Sequence, residues 1–257
     1  LKTRIVTGAI GGAVFLSLVY AGGIAFGILL FFIGLFGFNE WLKMGRIHIG
    51  SKHGIVGLLF TIYYFLPVYV TGGWTSKSLL VELMVLLIIM VLSKNRANIQ
   101  EISYVYLGSI FLGIALHYMY ETRLMENGLT LTLVILIAVW TTDTAAYFVG
   151  RAFGKHKLWP AISPNKTVEG SVGAIVFAVL AVVLFALFSA QITVPFAFLL
   201  ALAISIGGQI GDLVESAVKR TFDVKDSGQI LPGHGGVLDR FDSLLFVFIL
   251  LHLLSLI

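Results

Sequence analysis

The residues best equipped for chemistry lie between Asp212 and Asp242, where six acids, four glycines, four Lys/Arg side chains and His234 fall within 31 positions. Charged residues make up only 12% of the chain, so this density requires a reason. Asp212, Glu215, Ser216 and Lys219 recur at i, i+3, i+4 and i+7 and share one helical face. Asp239 and Asp242 share a face at the start of the next apolar run. Between the two runs, Pro232-Gly233-His234-Gly235-Gly236 permits backbone torsions that other residues resist and lets a ligand approach closely. Carboxylates from two helices could converge on one hard divalent ion, and Mg2+ takes one or two carboxylates together with waters and substrate phosphates. Lys219, Arg220, Lys225 and Arg240 suit the phosphate charge that remains. A solvated loop with paired charges would need neither the glycine-rich run nor acids at the ends of both helices. The pattern reads as a cation-assisted phosphate site.

Two further constellations precede it. In Asp143-Thr144-Ala145-Ala146-Tyr147-Phe148-Val149-Gly150-Arg151, Asp143, Tyr147 and Gly150 lie on one helical face. An acid within an apolar span is expected to face the bundle interior and to have a partner, either a ligand or a base such as Arg151. The second runs Ser163-Pro164-Asn165-Lys166-Thr167-Val168-Glu169-Gly170. Pro164 disfavours helix just before it, and either Thr167 or Ser163 could start the next helix. Lys166 and nearby backbone N–H groups would then stand where a helix N-terminus holds an anion. Topology signalling explains Lys155 and Lys157 well but explains this run poorly.

The elements that must carry these residues are apolar. The 257 residues are 58% hydrophobic, with mean hydropathy +1.00, whereas soluble domains carry roughly 25% charged residues. The expected class is an all-α, polytopic integral membrane protein. Continuous runs argue against a β-barrel, and the lack of cysteine excludes disulfides, thiolate catalysis and Cys-ligated metals. Nine spans are expected, at about 5–20, 23–42, 54–71, 78–93, 101–120, 129–150, 168–190, 194–218 and 238–257. The Ala21-Gly22-Gly23 break separates the first two. The first run reads as a retained helix rather than a leader, and a chain opening on Leu1 is expected to lack a few residues.

With the N-terminus in the cytoplasm and nine crossings, 15 of the 17 Lys and Arg residues fall on the inner side. Only Lys77 and Arg123 stay outside. Residues 1–127 read as scaffold and possible dimer contact, and 128–257 as the catalytic part. Within the scaffold, His48, Lys52 and His53 read as surface groups for lipid headgroups, Glu82 as a headgroup-level acid at the outer interface, and His117 as a packing histidine. The pairs Gly8/Gly12, Gly23/Gly27 and Gly207/Gly211 have the spacing that lets helices approach closely, with packing inside one subunit preferred to a dimer contact. No repeat or matched pair of broken helices points to an inverted-repeat transporter, although an ion path through the acids is the alternative function.

Ser216-x-x-Lys219-Arg220-x4-Lys225-Asp226-x5-Pro232-Gly233-His234-Gly235-Gly236-x-x-Asp239-Arg240-x-Asp242 resembles the full signature of the phosphatidate cytidylyltransferases, or CDP-diacylglycerol synthases. The Asp143 and Ser163 constellations also resemble motifs of that family, so the resemblance covers about 140–243. It implies a multi-span homodimer at the inner (plasma) membrane, with its active site facing the cytoplasm, that joins CTP to phosphatidic acid with Mg2+. No nucleic-acid partner is expected. Carried over by position, Asp212 and Asp239 are the metal ligands, with a second cation, K+ among the candidates, beside them. Lys219, Arg220, Lys225, Asp226, His234, Arg240 and Asp242 join them as catalytic candidates. Asp143, Ser163, Lys166, Thr167, Glu169, Ser216, Gly233, Gly235 and Gly236 are the substrate-binding candidates. His234 could protonate the leaving group, donate a hydrogen bond, or brace its loop. The pattern of the CDP-alcohol phosphotransferases and the P-loop are both missing from the sequence.

Overall fold

The structure is a computed structural model that describes residues 2–66, 76–189, 191–230, 233 and 235–257. Among them the chain forms nine helices. These are α1 (Lys2–Ala21), α2 (Gly23–Met44), α3 (Lys52–Phe65), α4 (Ser76–Leu92), α5 (Ile99–Leu124), α6 (Gly128–Phe153), α7 (Val168–Phe188), α8 (Val194–Thr221) and α9 (Leu238–Leu253). Each coincides with one expected apolar span; residues 67–71 of the third lie outside the described residues. The all-α expectation needs one correction. A two-stranded antiparallel hairpin, β1 (Lys157–Trp159) and β2 (Ser163–Thr167), stands between α6 and α7. Five helices, α2, α5, α6, α7 and α8, are long and apolar enough to cross a membrane, as roughly 20 residues are needed. The chain is a membrane protein of helical class. Helices α3, α4 and α9 have 14, 17 and 16 residues.

The described chain divides into two compact units, Leu1–Glu121 with Asp226–Arg240, and Thr122–Lys225 with Phe241–Ile257. The segment Asp226–Arg240 thus groups with the N-terminal helices. In the first unit, Gly22 and Gly23 adopt φ of 64° and 50°, a left-handed pair that ends α1 and begins α2. Helices α2 and α5 lock through a reciprocal contact. The Trp41 indole donates to the Tyr104 carbonyl at 3.0 Å, the Tyr104 hydroxyl donates to the Trp41 carbonyl at 2.8 Å, and the rings stack at 4.8 Å. Glu82 departs from its expected place at headgroup level. It is fully buried, accepting from Tyr64 at 2.9 Å and also from Ser109. His53 is also buried rather than a surface group, beside Ser51 and 3.6 Å from Glu101. His117 packs with Phe65 and Glu121, as expected of a packing histidine.

In the second unit, glycines set the helix spacing. A Cβ at Gly150 would lie 3.0 Å from Thr167 Oγ1, and one at Gly170 would lie 2.8 Å from the Ala146 carbonyl. The motif glycines therefore let α6 and α7 touch backbone to backbone. At Gly211 a Cβ would meet Phe246 Cβ at 2.7 Å and the Asp242 carbonyl at 3.1 Å, so α8 lies directly against α9 and Gly207/Gly211 packs within the chain. A Cβ at Gly12, by contrast, would meet nothing within 4 Å among the described residues, so Gly12 makes no close helix contact there.

Replacing Gly211 with valine inserts methyl groups where α9 already stands. We expect Gly211→Val to destabilise the protein by about 1–3 kcal/mol, read as a lower thermal midpoint in detergent, whereas Gly12→Val leaves the midpoint unchanged.

Candidate phosphate-handling site

The second unit gathers one group of the expected residues at the junction of the hairpin, α8 and α9. Helix α6 ends at Gly154, whose N–H reaches the Gly150 carbonyl at 3.0 Å. The hairpin turns through Pro160 and Ala161, with Ile162 N donating to the Trp159 carbonyl at 3.1 Å. Pro164 is tolerated in β2 because a two-stranded sheet consists of edges. Thr167 then caps α7, its hydroxyl accepting from Gly170 N at 3.1 Å. Of the two starts left open by the sequence, the helix uses Thr167.

This geometry gives two of the expected substrate-binding residues a structural task. Thr167 is only 7% exposed and occupied as a cap. The Glu169 carboxylate accepts from the backbone N–H groups of Lys155 and His156, at 3.1 and 3.2 Å, and from the His156 ring at 2.6 Å. An acid in the first turn of a helix is well placed for this. Both residues therefore shape the hairpin that carries Lys166. Ser163, at the start of β2, is half-buried. Asp143 is exposed on α6, not enclosed among helices as expected, because the face it shares with Tyr147 points outward. Arg151 bonds the Tyr147 hydroxyl at 3.2 Å.

Lys166 crosses from β2 to α8 and places its ammonium 2.5 Å from Asp212 Oδ2, while Ser216 donates to Asp212 Oδ1 at 3.3 Å. One turn onward, Lys219 binds Glu215 at 3.1 Å, with both side chains nearly buried. The shared face read from the i, i+3, i+4, i+7 spacing is thus realised. Asp242, at the start of α9, stands beside this group: its carbonyl would lie 3.1 Å from a Cβ on Gly211 of α8, and its Oδ1 accepts from Ser243 N at 2.7 Å. Three carboxylates and two lysines share one polar cluster at the ends of apolar helices. Burying such charges is costly unless each is paired; Lys166 answers Asp212 and Lys219 answers Glu215, which leaves three acids to two bases.

Helix α8 ends in a turn with Asp223 at φ 55° and Val224 N bonded back to the Lys219 carbonyl at 3.0 Å, the six-to-one closure that commonly follows a left-handed residue. This turn exposes Arg220, Lys225 and Asp226. Arg220 donates to the Ile162 carbonyl at 3.3 Å and the Val224 carbonyl at 3.1 Å, tying the hairpin tip to α8.

The rest of the signature belongs to the first unit. Asp239 Oδ2 accepts from Ser227 N at 2.9 Å and Gly236 N at 2.8 Å. Gly233 and Gly235 adopt φ of 76° and 83°, which explains both glycines; a Cβ at Gly235 would press on Asp239 Oδ2 at 2.7 Å. Arg240 is exposed. His234 and Pro232 lie outside the described residues.

Among the described residues, no group of three or more His, Cys, Asp or Glu side chains has the geometry of a metal cage. Mg2+ keeps most of its ligands as water and substrate oxygens and asks the protein for one or two carboxylates, so its site requires no cage of three. Asp212 is paired with the Lys166 ammonium.

Sequence reasoning missed Glu40. It is fully buried at the end of α2 and accepts from Ser227 Oγ and Leu238 N. An acid near the end of an apolar span, next to Trp41, was the signal available.

Long apolar helices, one of them ending in a cluster of acids and lysines, define a helical membrane protein with a polar site. The chain belongs to the cytidylyltransferase family, which it matches over residues 2–257. It is 44% identical to the phosphatidate cytidylyltransferase of Bacillus subtilis (strain 168) over 262 residues, covering 99% of this chain and 97% of that one. It is 41% identical to that of Staphylococcus haemolyticus and 42% identical to that of Staphylococcus aureus (strain COL), each covering 99% of this chain and 98% of the relative.

Removing one partner of a nearly buried ion pair leaves the other charge stranded. Lys219→Met is expected to lower the unfolding free energy by about 3–5 kcal/mol, measured by denaturation in mixed micelles. Adding Glu215→Gln to the same chain should recover part of that loss, and an unchanged single variant would show the pair contributes nothing.

Proposed function

We propose that this chain transfers the cytidylyl group of CTP to phosphatidic acid, giving CDP-diacylglycerol and pyrophosphate in phospholipid synthesis. The observation that carries this reading is the match to relatives named for that reaction, which extends from one end of the chain to the other. In the reaction, a phosphate oxygen of phosphatidic acid attacks the α-phosphorus of CTP. The bond between that phosphorus and the bridging oxygen breaks, and pyrophosphate leaves. The lipid brings its own nucleophile, so the protein need not supply one. Its work is positioning and charge neutralisation, the main source of catalysis in phosphoryl-type transfer.

Several observations support particular roles. The Lys166–Asp212 contact lets Lys166 exchange one anionic partner for another, a carboxylate for a phosphate. Lys219, Arg220, Lys225 and Arg240 are the remaining bases for pyrophosphate and the lipid phosphate. Arg220 spends only part of its planar set of donors on carbonyls. Ser163 and Ser216 supply hydroxyls, Gly233, Gly235 and Gly236 let backbone approach the nucleotide, and Asp143 is the acid we assign to substrate on α6. Asp226 and Asp242 orient the bases around them. Asp212 and Asp239 are the residues we assign to Mg2+, which when bound shields the triphosphate and polarises its oxygens. K+ is the candidate for a second cation.

A substrate with two acyl chains accounts for a reaction site on membrane helices. An apolar groove between α6 and α7, lined by Trp140, Phe148 and Phe177, lies beside Asp143 on the same helix and suits an acyl chain. We further propose nine crossings of the inner (plasma) membrane, a cytoplasmic N-terminus, a reaction site open to the cytoplasm and a homodimer. The inner-side excess of Lys and Arg supports the orientation.

Purified protein incubated with phosphatidic acid vesicles, labelled CTP and Mg2+ should move label into the organic phase. Asp239→Ala and Asp212→Ala should each lower this by at least roughly a hundredfold, while the folded protein remains extractable. Normal turnover in either variant would refute that assignment. Absence of label with the unaltered chain, together with ion flux in liposomes, would favour the transport alternative.

A further inference from the structure

We propose that Glu40 is a positioning residue: from α2 it fixes the segment 227–238 and, through that segment, the carboxylate of Asp239. The inference rests on the cytidylyltransfer reading and extends it to a residue outside all three motifs, in helices that read from sequence as scaffold.

The contacts form a short chain. Glu40 is fully buried. Its Oε2 accepts from Ser227 Oγ at 3.2 Å and from Leu238 N at 3.0 Å, so a single oxygen gathers both ends of the segment. Ser227 carries the constraint onward. Its hydroxyl accepts from Asp239 N at 3.3 Å, and its own N–H donates to Asp239 Oδ2 at 2.9 Å. Gly236 N donates to the same oxygen at 2.8 Å. The Asp239 side chain is therefore aimed by backbone groups whose own placement depends on Glu40.

Two glycines show how closely the segment closes on this acid. A Cβ at Gly228 or Gly236 would collide with the Glu40 carboxylate. Gly236 is a signature residue, and this contact gives it a reason distinct from torsional freedom. The other oxygen, Oε1, is buried and has no hydrogen-bond partner among the described residues. The position thus keeps a costly carboxylate whose hydrogen bonds all go to this segment. On the far side, the Trp41–Tyr104 lock fixes the end of α2, one residue away. Glu40 therefore ties Ser227 and Leu238 to packed helices.

The role requires an acceptor at Oε2, and glutamine supplies one. Three measurements on the full chain in detergent test it. Amide exchange, without nucleotide, should show residues 227–239 losing protection in Glu40→Ala while the helices keep theirs. The Mg2+ concentration for half-maximal CDP-diacylglycerol formation should rise roughly tenfold or more in Glu40→Ala, with the KM for phosphatidic acid unchanged. Glu40→Gln should stay within about threefold of the unaltered chain on both measures. If Glu40→Ala fails to fold, Ser227→Ala breaks the same chain of contacts one link later and should loosen the segment in the same way. Wild-type exchange and wild-type Mg2+ dependence in a folded Glu40→Ala or Ser227→Ala would overturn the proposal, as would a Glu40→Gln variant as impaired as Glu40→Ala. An unaltered chain that makes no product would instead remove the cytidylyltransfer reading, leaving the exchange data to decide the loop.

Discussion

Lys166 meets Asp212 across two elements that the chain builds by different rules, and much of the second unit can be read as what holds those two groups together. An ammonium and a carboxylate at the end of apolar helices are each expensive to remove from water. They persist because each answers the other and because Ser216 takes the second carboxylate oxygen. Lys166 stands on β2, which exists because the chain turns sharply at Pro160 and re-enters helix at the Thr167 cap. Asp212 stands on α8, which lies flush against α9 because Gly211 has no side chain. Glu169 and Arg220 tie the hairpin to α7 and α8. Under the proposed cytidylyltransfer, a lysine held by a carboxylate is preorganised for phosphate and can be released to it.

The first unit meets a different demand. Segment Asp226–Arg240 must give the Asp239 carboxylate a fixed direction. Left-handed glycines, backbone N–H donors to Asp239 and the buried Glu40 supply it together. The motif is thus half of a structure whose other half, at the end of α2, lies almost two hundred residues earlier. The N-terminal helices contribute more than passage through lipid.

What could be read from the sequence followed from local periodicity and from dense motifs. Apolar runs located all nine helices among the described residues to within a few positions, because helix in lipid has no competitor. The spacing of Asp212, Glu215, Ser216 and Lys219 gave a face that the structure reproduces, since one helix fixes it. The misses share a cause: each depends on which elements meet in space. The motif that holds Thr167 and Glu169 also builds the hairpin, and their capping and bracing bonds could not be read from its spacing. Asp143 was expected among helices, but its face of α6 points outward. Glu82 looked interfacial because it lies near a span's end, whereas Tyr64 and Ser109 provide it with a buried partner set. Glu40 stood alone in sequence, with nothing local to link it to Ser227.

The central claim is that the Lys166–Asp212 pair marks where a triphosphate is received. Equilibrium binding of labelled CTP in the presence of Mg2+ to detergent-solubilised protein, without lipid substrate, reads this apart from turnover. The account predicts saturable binding to the unaltered chain and an affinity weakened by roughly tenfold or more in Lys166→Met, with the thermal midpoint nearly kept. Equal affinity in the two proteins would contradict it.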